Sequence, residues 1–532
     1  MNPLIVDALA AGKGSRTVTR DVIGAGPRSI AGVIESEGFE PKIVTSDIFL
    51  NTKFDSENYS ILLISGMSSD IQSIRKIIKK WRSKNTGAVI VGGPVTSQFE
   101  SIFRKLNADI GVVGEGEETL SELIKNGLFT KGILSIDVLS QIRGLIYRDK
   151  EVFVNNLRPV MNREIFDNHI PSTKVIIDYE LYKSSRVYVE IIRGCSNYYR
   201  TRLTDNICIE CGKCTEGKLE DRYYCPTGIA PGCGYCSVPS LYGPPKSRSV
   251  DNIAREIGDL FSLGVSRIVL SAPGFLDYGR DFLVEPQPLT DPRHPEPNYN
   301  KIEELLRAIS TLKKVKQGKA SILLENVKGN LVTEKSARIL GKYLRNATVN
   351  IGFESGSDKH CLELGRPSTP RENLEAVRRL SRFGLKPYVY FIHGLPGQTR
   401  KTTYATIDMI GRVVDAGAAR IILYRFTPLP MSSFQDSPMG PPAIRNKLSG
   451  LIKEASQKAN LRLKESLLGK SLRVVIAQQY NRDRKFMIGY PLYHGPVVVV
   501  EGLFNEGDII DVEITKIISD RMVQGRATDV IF

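Results

Sequence analysis

The sequence predicts an α/β protein in three successive parts: a Rossmann-like doubly wound sheet, a second region of βα repeats, and a small all-β barrel. Short apolar strands alternate with amphipathic helices up to about residue 131 and again after residue 250. Residues 467–532 instead alternate apolar and polar side chains with a period of two. A helix repeats every 3.6 residues and a strand every two, so these patterns indicate different folds. Between them, seven of the eight cysteines fall within 189–239.

Composition limits the class of protein. A chain of 532 residues has room for about three domains of ~100–200 residues each. Its 41% hydrophobic and 25% charged residues favour packed cores over disorder. It has no apolar run of the ~18 residues that a membrane helix needs, and no signal-peptide pattern, so we expect a cytoplasmic protein. The net charge of +15 favours a polyanionic partner such as RNA, the alternative being a solvated lysine-rich surface.

The first segment, residues 1–131, repeats strand and helix with glycine at the strand ends. This pattern is typical of a doubly wound parallel sheet, in which ligands bind beyond the carboxyl ends of the strands. The strand-end glycines are Gly66, Gly92, Gly93, Gly114 and Gly116. The pattern weakens over residues 132–182, for which we expect a connector with a small hairpin.

Two motifs in this segment, VIVGGP at 89–94 and VVGEGEETL at 112–120, resemble a cobalamin-binding-type domain. The resemblance makes cobalamin a candidate cofactor, with Gly92, Gly93, Gly114, Glu115 and Gly116 as its binding residues. The first histidine is His169, so the D-x-H-x-x-G ligand motif is absent and cobalamin would bind without histidine ligation. The alternative is a fold kept for packing or substrate contact.

An outer cysteine set consists of Cys195 in RGC and of Cys233 and Cys236 in GCGYC. Three thiolates suit an iron–sulfur cluster with one iron left open, although a structural zinc site is an alternative. The pattern resembles the C-x3-C-x2-C signature of the radical S-adenosylmethionine (radical SAM) family, with residues 196–232 inserted where three residues are usual. In that family the aromatic residue at the position of Tyr235 packs near the adenine.

An inner set, Cys208, Cys211, Cys214 and Cys225, reads C-x2-C-x2-C-x10-C-P. It is similar to half of a bacterial ferredoxin motif, which would make it a second 4Fe–4S site. The last spacing is ten residues rather than three, so a zinc knuckle stays an alternative. Four thiolates would saturate a cluster, which favours a structural or electron-relay role.

Residues 250–440 again alternate helix and strand, which is consistent with the partial (β/α) barrel of the radical SAM family. SAPGFLDYG, GFESGSD, LGRPST and FIHGLPGQT occur in that order and resemble the family's cofactor-contacting motifs. The resemblance assigns S-adenosylmethionine contacts to Gly274, Glu354, Ser355, Arg366 and Gly394, within a radical SAM domain at 183–465. For the nearby His360, Cys361 and His393 we expect packed core positions.

The C-terminal segment, residues 467–532, contains five short strands separated by Gly, Asn and Asp turns, which predicts a small antiparallel barrel. It resembles the TRAM domain, an OB-like barrel that binds RNA in related enzymes. Basic residues would contact phosphates and aromatic ones would stack on bases. The expected RNA-contacting residues are Arg473, Arg482, Arg484, Lys485, Lys516, Arg521, Arg526, Tyr480, Phe486, Tyr490 and Tyr493. The alternative is a barrel that docks on its own enzyme or grips a protein.

Together these resemblances imply an enzyme that cleaves S-adenosylmethionine reductively to a 5′-deoxyadenosyl radical, which abstracts hydrogen from a carbon. They favour methylation, ahead of thiolation or methylthiolation, of a tRNA or rRNA base, with ferredoxin or flavodoxin as electron donor. Residues 1–131 contain no cysteine, whereas methylthiotransferases place three cluster-binding cysteines in their N-terminal domain. The same chemistry on a protein or small molecule is the alternative, and a non-catalytic RNA-binding scaffold is disfavoured because the cofactor motifs are present.

Overall fold

The computed structural model describes residues 2–9, 20–97, 99–132, 134–150, 152–205, 207–519 and 521–531. The chain divides into two compact units, Met1–Tyr182 and Lys183–Phe532. The finer boundaries that the sequence predicts, after residues 131 and 465, stay predictions. Among the described helices, none is both long and apolar enough to cross a bilayer.

The N-terminal unit contains a seven-stranded sheet in the order β3-β1-β4-β5-β6-β7-β8, whose first five members are parallel. The strands of the unit are β1 Pro3–Asp7, β2 Val22–Ile23, β3 Lys42–Thr45, β4 Ile61–Ser65, β5 Val89–Gly92, β6 Ile110–Val112, β7 Leu145–Asp149 and β8 Val152–Asn156. The antiparallel β7–β8 hairpin extends the sheet beyond β6. It lies in the stretch for which the sequence predicts a connector.

The helices of this unit form because their apolar residues recur on one face. The clearest example is α3, whose Ile74, Ile77, Ile78 and Trp81 are buried at helical spacing. They pack in one core with strand residues such as Leu4 and Leu62. The helices are α1 Ala25–Ser36, α2 Ser46–Asn51, α3 Ile71–Arg82, α4 Phe99–Arg104, α5 Glu117–Lys125, α6 Leu128–Lys131, α7 Ile136–Gln141 and α8 Arg163–Asn168.

The second unit begins with a partial (β/α) barrel of parallel strands. Its strands are β9 Arg186–Glu190, β10 Ile192–Arg193, β11 Lys246–Ser247, β12 Arg267–Ser271, β13 Ser321–Leu324, β14 Asn326–Val327, β15 Thr348–Glu354, β16 Lys386–His393 and β17 Arg420–Arg425. Glu325 joins β13 to β14, since its N–H donates to Leu270 and its carbonyl accepts from Asn350. The ladder therefore runs from β9 through β12, β13–β14, β15 and β16 to β17.

The helices of the second unit mostly follow these strands, as expected for a βα repeat. They are α9 Lys213–Glu216, α10 Val238–Tyr242, α11 Val250–Ser262, α12 Tyr299–Ser310, α13 Lys313–Lys316, α14 Glu334–Tyr343, α15 Asp358–Glu363, α16 Pro370–Arg382, α17 Arg400–Asp415 and α18 Lys447–Glu465. Helix α16 shows why they begin where they do: Thr369 and Glu372 form a capping box, and Pro370 takes the first helical position.

The chain ends in a closed five-stranded barrel, in the order β18-β19-β20-β22-β21. Its strands are β18 Ser471–Gln479, β19 Phe486–Pro491, β20 Val497–Glu501, β21 Ile509–Ile517 and β22 Met522–Ile531. The fold class predicted from the sequence is confirmed, but the expectation of a fully antiparallel barrel is wrong for one pair. Strands β20 and β22 run parallel, because β21 returns the chain before β22 begins.

The C-terminal barrel docks on the amino ends of the partial-barrel strands. The Ser321 hydroxyl at the start of β13 donates to the Leu492 carbonyl at 2.5 Å. In β16 the Tyr388 hydroxyl accepts from the Gly495 N–H at 3.1 Å. The C-terminal barrel thus closes the end of the partial barrel opposite to the carboxyl ends of its strands.

Candidate active site

The first predicted ligand, Cys195, lies in a tight turn after β10. Its N–H donates to the Gly243 carbonyl at 3.0 Å. The preceding Gly194 has a φ of 89°, and a Cβ there would lie 2.2 Å from the Pro244 carbonyl oxygen. Only glycine fits this turn, so the RGC sequence fixes where the thiol is placed.

The other two predicted ligands share a loop that is tied to both flanking segments. The Cys236 N–H donates to the Cys233 carbonyl at 2.8 Å, while Gly234 bonds Leu364 and Phe434 through its N–H and carbonyl, each at 2.9 Å. A Cβ on Gly234 would lie 2.5 Å from the Phe434 ring. The glycine therefore lets this ring pack directly against the cysteine loop.

The structure brings the three thiols together. Burial raises the pKa of Cys236 to about 12, with further contributions from Cys233 and Cys195, and burial also raises the pKa of Cys195. Asn197 directs donors at two of the sulfurs, with its backbone N 3.4 Å from Cys195 Sγ and its Nδ2 3.3 Å from Cys233 Sγ. Buried thiols of this kind ionise when they bind a cation, because metal binding releases the proton.

A buried charged cluster lies behind Cys195. Asp277 accepts hydrogen bonds from Lys328, from Arg280 and from the Ser196 hydroxyl. Burial alone would raise the pKa of Asp277, but Lys328 and Arg280 lower it. Lys328 also favours the thiolate form of Cys195. Sequence reasoning missed Asn197, Asp277 and Lys328 as site residues. Each is a polar residue near a glycine-rich strand end, and this pattern is too common in α/β proteins to identify a site residue.

Glu354, Arg366 and Tyr235 form one buried network beside Cys233. Arg366 Nη1 lies 2.9 Å from the Tyr235 hydroxyl, 3.4 Å from Glu354 Oε1 and 3.9 Å from Cys233 Sγ. Burial raises the pKa of Glu354, although Arg366 opposes this shift. Burial would lower the pKa of Arg366, but Tyr235, Cys233 and Glu354 together raise it. The guanidinium thus stays charged beside the thiols.

The backbone at Glu354 is strained. Its φ is 65°, a region that non-glycine residues seldom adopt, and the β15–β16 register shifts between Gly352 and Glu354. A Cβ on Gly352 would lie 2.3 Å from Glu354 Oε1, so the glycine makes room for the carboxylate. Strain of this kind concentrates at ligand-binding sites.

Ser355 is oriented by His360, which joins two of the predicted cofactor motifs. Nδ1 of His360 lies 3.0 Å from the Ser355 hydroxyl, and Nε2 lies 2.8 Å from the Pro396 carbonyl. Because a carbonyl only accepts, Nε2 carries the proton and Nδ1 accepts from the serine. His360 and Cys361 are buried, as expected for core positions, but His360 also fixes a site side chain.

The two other predicted cofactor contacts lie at tight turns. A Cβ on Gly274 would come within 3.2 Å of Lys328 Nζ, which places Gly274 directly over the charged cluster. Gly394 follows β16 with a φ of 77°, and it faces Gly440 so closely that a Cβ would lie 2.8 Å from the Gly440 Cα.

These residues fit a cluster and a chelating cofactor. Arg366 Nε is buried without a hydrogen-bond partner, which leaves a donor for a bound ligand next to the thiols. In the described part of the chain, no three His, Cys, Asp or Glu side chains are arranged to hold one metal ion. A four-iron cluster does not require such convergence, because each thiolate binds a different iron.

Arg200 clamps both ends of the cysteine-rich insertion. Its guanidinium donates to the carbonyls of Tyr198, Arg222 and Ile229 at 2.9 Å and to that of Tyr223 at 3.1 Å. Each donor is directed at a different part of the loop. The insertion is thereby anchored to the cysteine site although it interrupts the signature.

The inner cysteines lie toward the surface of this insertion. Cys211 is exposed, and Cys208, Cys214 and Cys225 are partly exposed; all four are free thiols. Burial would raise the pKa of Cys225, but hydrogen bonds from Thr227 lower it. A shared cluster or zinc ion at these four residues stays a prediction.

At the glycine-rich edge of the N-terminal sheet, Gly92 has free space beside its Cα, whereas Gly93 is closely packed. Gly93 has a φ of 89° and faces the Gly66 carbonyl, whereas the nearest heavy atom to a Cβ on Gly92 would be 4.0 Å away. Gly114 also has a positive φ, 75°, and Gly116 caps α5. The Glu115 carboxylate is buried and accepts the Met161 N–H at 2.6 Å, and its role as a ligand contact stays a prediction.

In the C-terminal barrel the predicted RNA-contacting residues divide into two groups. Arg482, Arg484 and Lys485 in the β18–β19 loop are exposed, as are Lys516, Arg521 and Arg526. Tyr490 is buried, with Arg267 5.6 Å from its ring centroid, and Arg473 forms a bidentate pair with Asp511 at 2.9 Å. Tyr490 and Arg473 therefore take part in packing and pairing within the unit, and the RNA-contacting role of both groups stays a prediction.

Family models match both α/β parts of the chain. The Radical SAM superfamily model matches residues 223–410, and the B12 binding domain model matches residues 15–124. With the cysteine site described above, this defines a radical SAM protein with an N-terminal B12-binding domain. Its cofactors are a 4Fe–4S cluster and S-adenosylmethionine.

The chain is 41% identical to the uncharacterized protein MJ1620 of Methanocaldococcus jannaschii. The aligned region of 503 residues covers 94% of this chain and 93% of that protein. It belongs to the same family as that protein. It is also 24% identical over 434 residues, 80% of each chain, to the putative methylthiotransferase MJ0865 of the same organism.

A solved structure shares the fold. The radical S-adenosylmethionine methyltransferase TsrM from Kitasatospora setae, with cobalamin and a 4Fe–4S cluster bound, aligns with a TM-score of 0.57 at 14% identity, covering 82% of this chain and 77% of that one.

Proposed function

We propose that this radical SAM enzyme methylates a carbon atom of a tRNA or rRNA base, using cobalamin held by the N-terminal unit. The observation that carries the proposal is the combination, in one chain, of the cysteine site, the B12-binding domain and an exposed cationic loop on a C-terminal barrel. The likeness to the methyltransferase TsrM, whose structure has cobalamin bound, supports methyl transfer.

Cys195, Cys233 and Cys236 would hold the cluster, and the Glu354–Arg366–Tyr235 network would meet S-adenosylmethionine. When bound, these cofactors supply a carbon-centred radical that abstracts hydrogen, and cobalamin supplies a methyl carrier. Asn197 directs N–H groups at Cys195 Sγ and Cys233 Sγ, and Arg366 Nη1 places positive charge 3.9 Å from Cys233 Sγ. The C-terminal barrel docks at the amino end of the lumen through the Leu492 carbonyl and the Gly495 N–H.

Sulfur insertion is the second candidate function. The similarity to the putative methylthiotransferase MJ0865 favours it. Residues 1–131 contain no cysteine for an auxiliary cluster, and the four inner cysteines would saturate a cluster rather than leave an iron open for a sulfur donor. These two features favour methylation.

The test uses the full chain, reconstituted anaerobically with iron, sulfide and hydroxocobalamin. It is incubated with reductant, methyl-labelled S-adenosylmethionine and RNA from a deletion strain, and the nucleosides are analysed by mass spectrometry. We expect label on a base carbon, absent with the Cys233→Ala variant. A sulfur-containing nucleoside would instead establish the second candidate. Formation of 5′-deoxyadenosine without any modified nucleoside would contradict RNA as substrate and favour a protein or small molecule.

A further inference from the structure

Two tyrosines stack inside the partial barrel. The rings of Tyr390 on β16 and Tyr424 on β17 have centroids 5.6 Å apart and an interplanar angle of 12°. Tyr390 is in register with Gly352, so the two residues face the same side of the sheet. A Cβ on Gly352 would lie 3.3 Å from Arg366 Nη2, which puts that side toward the cofactor network, and the alternating neighbours Val389 and Phe391 are fully buried on the other side. Tyr390 and its stacking partner therefore face the lumen.

The Tyr390–Tyr424 pair is more accessible to solvent than an aromatic pair in a packed core would be. Tyr424 is 53% exposed, although it belongs to a strand of the barrel wall. The register partner of Tyr390 on β15 is Gly352, which has no side chain to cover the ring. In the part of the chain that the structure describes, neither tyrosine hydroxyl has a hydrogen-bond partner.

The pair lies next to Glu354 of the cofactor motif along the strands, and two arginines are close enough to act on it electrostatically. Glu354 is in register with Phe391, the residue after Tyr390, so the two layers are separated by about one strand residue, ~3.3 Å along the strand. Arg186 of β9 and Arg420 of β17 both interact electrostatically with the two tyrosines. Arg420 also lies 5.8 Å from the ring centroid of Tyr388, nearer the closed amino end.

We propose that Tyr390 and Tyr424 form the slot in which the substrate's base stacks, with Arg186 and Arg420 attracting the phosphates attached to it. Every nucleobase has a π face, so an aromatic platform beside cations is suited to a nucleotide. A base stacked on Tyr424 would lie one layer from the residues expected to meet S-adenosylmethionine. This inference rests on the proposed function and specifies how its substrate is held.

The chain offers a matched set of variants. Tyr424→Phe keeps the ring and removes the hydroxyl, whereas Tyr424→Leu keeps an apolar side chain and removes the π face. Tyr404→Leu is the control, because Tyr404 on the outer helix α17 is 49% exposed and also lies beside an arginine, with Arg400 5.7 Å from its ring centroid.

The first measurement is saturation-transfer NMR of the reconstituted enzyme with AMP, CMP, GMP or UMP, against ribose 5-phosphate. Saturating S-adenosylhomocysteine fills the adenine site of the cofactor. We expect base-proton signals for at least one nucleotide with wild type, Tyr424→Phe and Tyr404→Leu. Tyr424→Leu should weaken binding about 5- to 150-fold, the range of one base–aromatic stack, and ribose 5-phosphate should give no signal.

The second measurement is the amount of modified nucleoside formed per 5′-deoxyadenosine. Tyr424→Leu should lower this ratio while leaving the salt dependence of RNA binding unchanged. Nucleotide signals absent from wild type, or equal in wild type and Tyr424→Leu, would overturn the slot whether or not RNA is modified. Signals that depend on Tyr424 without any RNA modification would instead retain the slot and contradict the RNA substrate.

Discussion

Arg366 Nη1 lies 3.4 Å from Glu354 Oε1, and both side chains are nearly excluded from water. Arg366 comes from the LGRPST loop and Glu354 from a strained strand end, so the contact joins two sequence motifs directly. The same guanidinium reaches the Tyr235 hydroxyl of the cysteine loop at 2.9 Å. A single arginine thus aligns three segments of the site.

Replacing this arginine should destabilise the protein as well as inactivate it. Arg366→Gln leaves Glu354 buried without its cation, and breaking a buried pair costs about 3–5 kcal/mol. Adding Glu354→Gln removes the stranded charge, so the double variant should regain stability but not 5′-deoxyadenosine formation. Urea unfolding and product assays measure the two effects. Equal stability of Arg366→Gln and wild type would show that the Arg366–Glu354 contact does not stabilise the folded protein.

The two cysteine sets should respond differently to substitution. Cys233→Ala should abolish 5′-deoxyadenosine formation, because it removes one of three thiolates that leave an iron open. A Cys208→Ser, Cys211→Ser, Cys214→Ser variant should lose one metal centre in iron and zinc analysis and keep the other. The matched control is Cys361→Ala, which removes a buried thiol outside both sets and should keep all metal. Loss of both centres in the triple variant would mean that the sets form one folding unit.

Sequence pattern and structure agree where the signal is local and differ where it is not. Periodicity predicts the two α/β regions and the barrel, and the RGC and GCGYC turns follow from glycine geometry. The roles of Glu115, Tyr490 and Arg473 depend on partners far along the chain, namely Met161, Arg267 and Asp511. The parallel β20–β22 pair likewise depends on the route of the whole chain. Local patterns carry no information on such long-range contacts.

Cobalamin retention should depend on the open space above Gly92. A Cβ there would have no heavy atom closer than 4.0 Å, so Gly92→Leu should fold normally and place its side chain over the glycine-rich edge. After reconstitution with hydroxocobalamin and gel filtration, wild type should keep a base-off spectrum and Gly92→Leu should not. Gly411→Leu on α17, also without a close neighbour, is the control. Equal retention by wild type and Gly92→Leu would place cobalamin elsewhere.

The dock between the C-terminal barrel and the partial barrel should weaken in acid. Burial, together with the positive charges of Lys386 and Lys470, lowers the pKa of His494 from 6.5 to about 4. Between these values the unfolded chain binds a proton that the folded protein does not, so stability is present above pH 6.5 and lost as pH falls toward 4. Burial also lowers the pKa of His360 and of His393, so both contribute to the loss of stability in acid. The unfolding temperature of wild type should therefore fall more steeply than that of His494→Gln, and parallel curves would contradict the role of His494.

RNA binding by the C-terminal barrel is best tested on its exposed loop. Removing residues 467–532 would also uncover Ser321 and Tyr388, which the barrel contacts, and would mix RNA binding with stability. Replacing Arg482, Arg484 and Lys485 by alanine leaves these contacts in place.

If each of these cations neutralises one phosphate, the log–log salt slope of RNA binding should fall by about 2 for three contacts on single-stranded segments, at ~0.7 each. Formation of 5′-deoxyadenosine should not change. Replacing the exposed Arg75, Lys76 and Lys79 of α3 by alanine removes the same charge elsewhere, so it controls for the attraction of the net charge of +15. A smaller slope in the loop variant alone would locate the phosphate contacts on the barrel. Equal changes in both variants would mean that net charge, and not this loop, attracts the RNA.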